Sequence, residues 1–394
     1  MSTSRYSASR QKSCDQCSIS KAKCDRQTPC TRCAKRGLSC VYPTTPSGSG
    51  ESPAGRTQES SIYGSEYGAR ISFPSPYQEV LPPVSADDLG ETWLNFEQLD
   101  LLCPINVEDI NNRWLNPYIP GPEQTIKSYP VVVANYIWRI LNSYAASASR
   151  GRGIPPFIHA AQMNDPKASL PLNTCLSLIR ISENPLPGTE NAAALVLQRE
   201  MKSIAATREN YDDMALLAAY QAYLMYALVL FFRLSQGSSA FFRQAMITLQ
   251  ELACTTCRRG LVCAADRRHS RPTWEEWIVA ESKRRTLYVM YLFDSILSSQ
   301  ENLPTFLGTE LRGLPAPSNK FLWQAQRRGQ WEKEYNVVLT EWTKQYLTID
   351  ELWPVPPGLS DADIAERRDR VNRWLENLDE FGTMLFAVTS GTHG

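Results

Sequence analysis

Six cysteines crowd into residues 14–40 at a repeated spacing. Cys14, Cys17 and Cys24 follow C-x2-C-x6-C, and after five residues Cys30, Cys33 and Cys40 repeat it. Sulfurs placed this way suit a metal. Tetrahedral zinc takes four ligands at about 2.3 Å, so six thiolates overfill one ion. Two ions need eight Zn–S bonds, and six sulfurs supply eight when two of them bridge, one from each half. Two other chemistries also use dense cysteines. A disulfide knot belongs to secreted chains, yet the first thirteen residues are polar and Ser-rich, without the apolar run of a leader. An iron–sulfur cluster is served by other cysteine spacings.

The charges around these cysteines suit a polyanion. Residues 1–43 hold nine Lys/Arg against Asp15 and Asp25, a net +7. The whole chain has 41 basic and 41 acidic residues, so the remaining 351 residues carry −7. Such asymmetry separates a head that meets nucleic acid from a soluble body. Two short helices are expected in the head, Asp15–Lys23 and Thr31–Arg36, the second stopped by Gly37.

The stretch resembles the fungal binuclear zinc cluster, a six-cysteine DNA-binding module of transcription factors, and within it the aflatoxin-pathway-regulator type. The residues that carry the likeness are S-C-D-Q-C-S-I-S-K-A-K-C at 13–24 and C-T-R-C-A-K-R-G-L-S-C-V-Y at 30–42. The resemblance implies two zinc ions on Cys14, Cys17, Cys24, Cys30, Cys33 and Cys40, with Cys14 and Cys30 as the bridging ligands. It implies that Lys21 reads guanine edges of a CGG-like or TCG-like half-site in double-stranded DNA. It also implies phosphate contacts by Lys23, Arg32, Lys35 and Arg36. The alternative for these lysines and arginines is a solvated charged face.

The remaining elements must position or regulate this head. Residues 1–13 read as a disordered basic arm whose Arg10 and Lys12 serve phosphate contact or nuclear import, or simply as a frayed end. Residues 14–43 read as the cluster domain, 44–111 as a linker and 112–394 as an all-α regulatory body. Of residues 44–90, 21 are Ser, Pro or Gly, too few of them apolar to offset ordering entropy. No heptad repeat follows the cluster, so dimerisation, if any, falls to the body. Asp87–Arg113 mixes acids with Trp93, Phe96 and leucines. It reads either as an activation segment for a coactivator groove or as an entry helix docked on the body, and the second is favoured.

Periodicity predicts helices over Pro130–Ser149, Leu170–Ile181, Thr189–Thr207, Asn210–Gln236, Ser239–Arg258, Trp274–Leu297, Asn319–Tyr346 and Ser360–Leu385, with 389–394 loose. Met214–Phe232 is long and apolar enough to cross a membrane, but its mid-segment tyrosines and recurrent alanines point to the centre of a bundle. Cys254 and Cys257, with Cys263 and His269 nearby, are expected to pack in the core rather than hold metal. Thr273 and Glu276 form a capping box, and Glu281 and Arg285 an i,i+4 pair. This region resembles the helical body of the same fungal regulators, in which the body binds effectors, restrains the regulator or dimerises.

Catalytic signatures are missing. The histidines, His159, His269 and His393, are scattered, and no metalloprotease, hydrolase-elbow or phosphate-loop motif occurs. The expectation is a small zinc-stabilised head plus a large all-α domain, not an enzyme and not a membrane protein. It is expected to be a nuclear, sequence-specific regulator of RNA polymerase II genes, an activator of one pathway such as a secondary-metabolite gene cluster. The alternatives are a zinc-dependent protein-interaction or corepressor module, and an α-helical effector receptor.

Overall fold

In the computed structural model, the described residues are 13–15, 17, 20, 22–27, 29–36, 38, 40–41, 94–115, 126–127, 129–165, 169–183 and 188–393. The arm at 1–12, Gln16, Ser18, Ile19 and Lys21 of the expected Asp15–Lys23 helix, the linker at 44–93 and Gly394 lie outside them; that helix does not reach Lys23, since Ser20, Ala22 and Lys23 are not helical. The chain divides into two compact units, Met1–Pro83 and Val84–Gly394.

In the first unit, helix α1 spans Thr31–Lys35. Cys30 is its N-cap, and its sulfur accepts the Cys33 N–H at 3.4 Å. The Asp25 carboxylate accepts the Thr31 N–H at 3.1 Å and also the Thr31 hydroxyl. The sequence repeat has a backbone counterpart. The Ala22 N–H bonds the Cys17 carbonyl at 2.9 Å, and the Leu38 N–H bonds the Cys33 carbonyl at 3.0 Å, each spanning five residues. The Asp15 N–H closes the module on the Val41 carbonyl.

The second unit is helical. After strand β1 (Leu101–Leu102) come α2 (Val107–Leu115), β2 (Ile126–Lys127), α3 (Val131–Ser149), α4 (Leu170–Ile181), α5 (Glu190–Thr207), α6 (Asp213–Phe232) and α7 (Ala240–Arg258). Strand β3 (Val262–Cys263), α8 (Ala264–Arg267), α9 (Trp274–Gln300) and β4 (Thr305–Phe306) follow. The chain ends with α10 (Lys320–Trp323), α11 (Arg328–Glu341), α12 (Asp361–Leu375) and α13 (Glu380–His393). The strands are two-residue clasps, β1 with β3 and β2 with β4, both antiparallel.

Helix α6 is the axis of the bundle. It packs on α3, α4, α5, α7 and α9 and is buried on nearly every side. Among the described residues it is the one helix apolar and long enough to cross a membrane, and here other helices take the place of lipid. Its mid-helix Gln221 is satisfied by protein: the amide donates to the Phe157 carbonyl at 3.0 Å and accepts from Gln162. Burial without such partners would cost roughly 1–3 kcal/mol.

Residues 94–115 form an entry strap rather than a free acidic segment. The Asn95 and Asp100 N–H groups donate to Glu275 and Glu276 at the start of α9. Val107 and Ile110 of α2 are buried against α7, where the Cys254 thiol bonds the Val107 carbonyl at 3.2 Å. At the turn into β3, Gly260 has φ +100°, and a Cβ there would stand 2.3 Å from that of Leu101.

Three expectations change. Asn319–Tyr346 is not one helix: α10 and α11 are separate because Trp323 is taken by Arg285, 3.9 Å from its ring, while Trp331 is buried against Trp277. The Ser360–Leu385 helix also splits. The Asn377 carbonyl accepts the Lys320 N–H, and Asp379 starts α13 by accepting the Gly382 N–H at 2.8 Å. The tail is helical through His393, since α13 seats buried Val388 and brings Gly391 against Val133 of α3.

Candidate metal centre and nucleic-acid interface

The six head cysteines form two quartets of sulfurs, each with all members within 4.8 Å of one another. One is Cys14, Cys17, Cys24 and Cys30; the other is Cys14, Cys30, Cys33 and Cys40. Cys14 and Cys30 belong to both, which is what two bridging thiolates require. Neighbouring sulfurs lie 3.6–3.8 Å apart, as in Cys17–Cys30 at 3.6 Å, Cys14–Cys30 at 3.7 Å and Cys14–Cys24 at 3.8 Å. A zinc tetrahedron with bonds of about 2.3 Å has edges of about 3.8 Å. A disulfide needs about 2.05 Å, and all eleven cysteines are free. The donor set therefore fits two zinc ions.

The thiols do not share one environment. Burial pushes Cys14 and Cys33 up, whereas the Cys33 backbone N–H, at the start of α1, holds Cys30 below the usual thiol range. Close-packed thiols resist joint ionisation, and a bound cation removes that resistance by neutralising the thiolates.

Lys23, Arg32, Lys35 and Arg36 line one surface hollow of about 790 Å³ together with Asp25 and Thr31. Lys23, Lys35 and Arg36 are exposed. Arg32 is half-buried and turned toward the sulfurs: its Nη1 donates to Ser20 Oγ at 2.7 Å and lies 3.8 Å from Cys17 Sγ. It ties the second half of the repeat to the first. Lys21 falls outside the described residues, so its geometry does not enter.

The body holds a second polar centre. Glu281 and Arg285 do pair, at 2.7 Å, but both are fully buried rather than on a surface. Glu281 also accepts from Arg284 at 2.6 Å and from the Ser318 N–H at 2.9 Å, and Arg285 reaches Asp379 at 2.5 Å. Burial alone would raise the Glu281 carboxyl, yet the two guanidiniums outweigh it and hold it at about 2. The i,i+3 and i,i+4 arginines were visible in the sequence; Asp379, nearly a hundred residues on, carried no signal there. Cys254, Cys257 and Cys263 are buried. His269 is exposed and bonds the Leu339 carbonyl, and among the described residues the metal-ligand groups are the two head quartets.

Residues 12–49 match the family model described as Fungal Zn(2)-Cys(6) binuclear cluster domain. Residues 182–353 match that described as Fungal specific transcription factor domain. Comparison with curated proteins and with solved structures gives no match. The first domain is one that binds two zinc ions and DNA, and the two together are those of a fungal transcription regulator.

Proposed function

From a chain that carries a fungal zinc-cluster domain and a fungal specific transcription factor domain, we propose a nuclear, sequence-specific regulator of RNA polymerase II genes. It acts as an activator dedicated to one pathway, after the pattern of the aflatoxin-pathway regulators its cluster resembles. A biosynthetic gene cluster is the natural target. The observation that carries the reading is the pair of sulfur quartets sharing Cys14 and Cys30 beside a cationic hollow.

In this reading one zinc is held by Cys14, Cys17, Cys24 and Cys30, the other by Cys14, Cys30, Cys33 and Cys40. Bound there, the ions would neutralise the thiolates and cross-link the two halves of the head. The chain does the rest. Lys23, Lys35 and Arg36 approach phosphates, Arg32 braces the frame as well as the backbone contact, and Lys21 enters the groove to read a CGG-like or TCG-like half-site. Helical surfaces of the body serve homodimerisation, since no heptad repeat follows the cluster. The strap's docking on the body leaves coactivator contact to residues before it.

A gel shift with duplexes carrying these half-sites tests the proposal. Retardation that depends on sequence and disappears with a zinc chelator supports it. Unaltered mobility at moderate salt, with zinc bound, overturns it in favour of a protein-interaction module.

A further inference from the structure

The body contains a cleft whose wall is aromatic. Trp277, Tyr335, Trp342, Tyr346 and Trp374 line it together with Asp266, and it encloses about 670 Å³ including its mouth. The elements that meet here are α8, α9, α11, α12 and the turns around 315–319 and 346–347.

Asp266, which is half-buried, differs from the buried carboxylates. Glu281 holds Arg284 and Arg285, Asp379 holds Arg285, and Glu275 holds Arg328. Asp266 is held by hydroxyls instead: Tyr335 and Tyr346 both donate to its Oδ1, at 2.6 and 3.4 Å, and the two phenol oxygens are 2.7 Å apart. Burial pushes the Asp266 carboxyl up, and Tyr335, the nearby Arg284 charge and Tyr346 oppose the shift. The cation that also lines the cleft, Arg284, is already committed, to the Leu261 carbonyl at 2.6 Å and to Glu281. At the rim the Arg373 guanidinium donates to the Glu341 backbone carbonyl at 2.9 Å and lies 5.9 Å from the Trp342 ring.

A half-buried carboxylate held by hydroxyl donors retains attraction for a positive group. Trp342 already attracts the Arg370 and Arg373 guanidiniums, at 5.3 and 5.9 Å, and the other ring faces add to the attraction, because the aromatic quadrupole draws organic cations, most of all when they are desolvated. A largely apolar lining with a few polar groups converging on it also describes the usual architecture of a specific small-molecule site. We propose that this cleft binds a small aromatic amine, its ammonium on Asp266 and its ring against the tryptophans and tyrosines. The proposal does not rest on the DNA-binding reading, and its test contains no DNA.

The experiment is calorimetric titration of the full-length, zinc-loaded chain with tryptamine, alongside thermal melting. Indole-3-acetate serves as the probe with the same ring and opposite charge, and hexylamine as the probe with the same charge and no ring. Tryptamine is expected to bind and raise the melting temperature, with both comparators at least about tenfold weaker. D266N is expected to weaken tryptamine by at least about tenfold. W342A, which removes a half-buried ring, is expected to weaken it too, and decides the matter if D266N does not melt cooperatively. No heat with millimolar tryptamine, equal binding of indole-3-acetate, or tryptamine binding unchanged in both variants overturns the proposal.

Discussion

Glu281 shows how much a single residue depends on where the chain puts it. On a surface, a Glu–Arg pair at i,i+4 contributes about 0.3–0.5 kcal/mol. Here the pair is buried with Arg284 and Asp379, so removing one charge strands the others in low dielectric. E281Q is expected to lose about 3–5 kcal/mol of stability in urea unfolding. The pH dependence has a definite sign. The carboxyl is held at about 2 when folded, below its ordinary 4.5. Its contribution is complete above about pH 4.5 and is lost as pH falls through about 2. Acid titration of stability should lose that slope in E281Q. In the head, each cation has a separable signature. K35A is expected to weaken binding equally for all duplexes and to lower the salt-dependence slope by about 1. K21A is expected to cost about 1–3 kcal/mol of discrimination between half-sites. Equal losses on matched and mismatched duplexes would remove Lys21 from base reading.

Among the elements, the entry strap and α6 carry opposite lessons. Helix α6 was legible because its nineteen-residue apolar run has one polar interruption, and any fold must hide it from water. The strap was only half legible. Acidic and aromatic residues alternate there, and the same composition suits a mobile activation segment. Glu275 and Glu276, far along the chain, accept its N–H groups and decide for docking. Gly260 makes the clasp possible, since φ +100° and contact with Leu101 leave no room for a side chain. G260A is expected to cost about 1–3 kcal/mol and to open residues 94–106 to limited proteolysis. A cleavage pattern like that of the parent chain would show that the strap is held without the clasp. The splits at 324–327 and 376–379 were illegible because helix periodicity continues through them. What ends those helices is competition for Trp323, Trp331 and Asp379 by partners distant in sequence.

For the whole molecule, charge and composition divide the work. A head of net +7 and a remainder of −7 suit a chain whose head meets a polyanion. The two units depend on different forces, metal ligation in the first and apolar burial in the second. Chelation of the full-length chain is therefore expected to abolish DNA retardation while leaving its helical circular dichroism and main melting transition in place. Collapse of the helical signal on chelation would show that the body needs the metal as well.

The zinc chemistry was determined by the sequence itself. Ligand type and spacing are local, and a tetrahedral ion accepts few arrangements, so six sulfurs in a doubled C-x2-C-x6-C nearly specify their own geometry. The bundle's apolar axis was determined the same way, by a run that must be buried. Tertiary structure alone decided that Glu281 is a buried hub, that Asp379 completes it, and that Tyr335 and Tyr346 meet at Asp266. Those outcomes depend on which distant segments meet, and contact between residues a hundred positions apart leaves no periodicity or spacing to read.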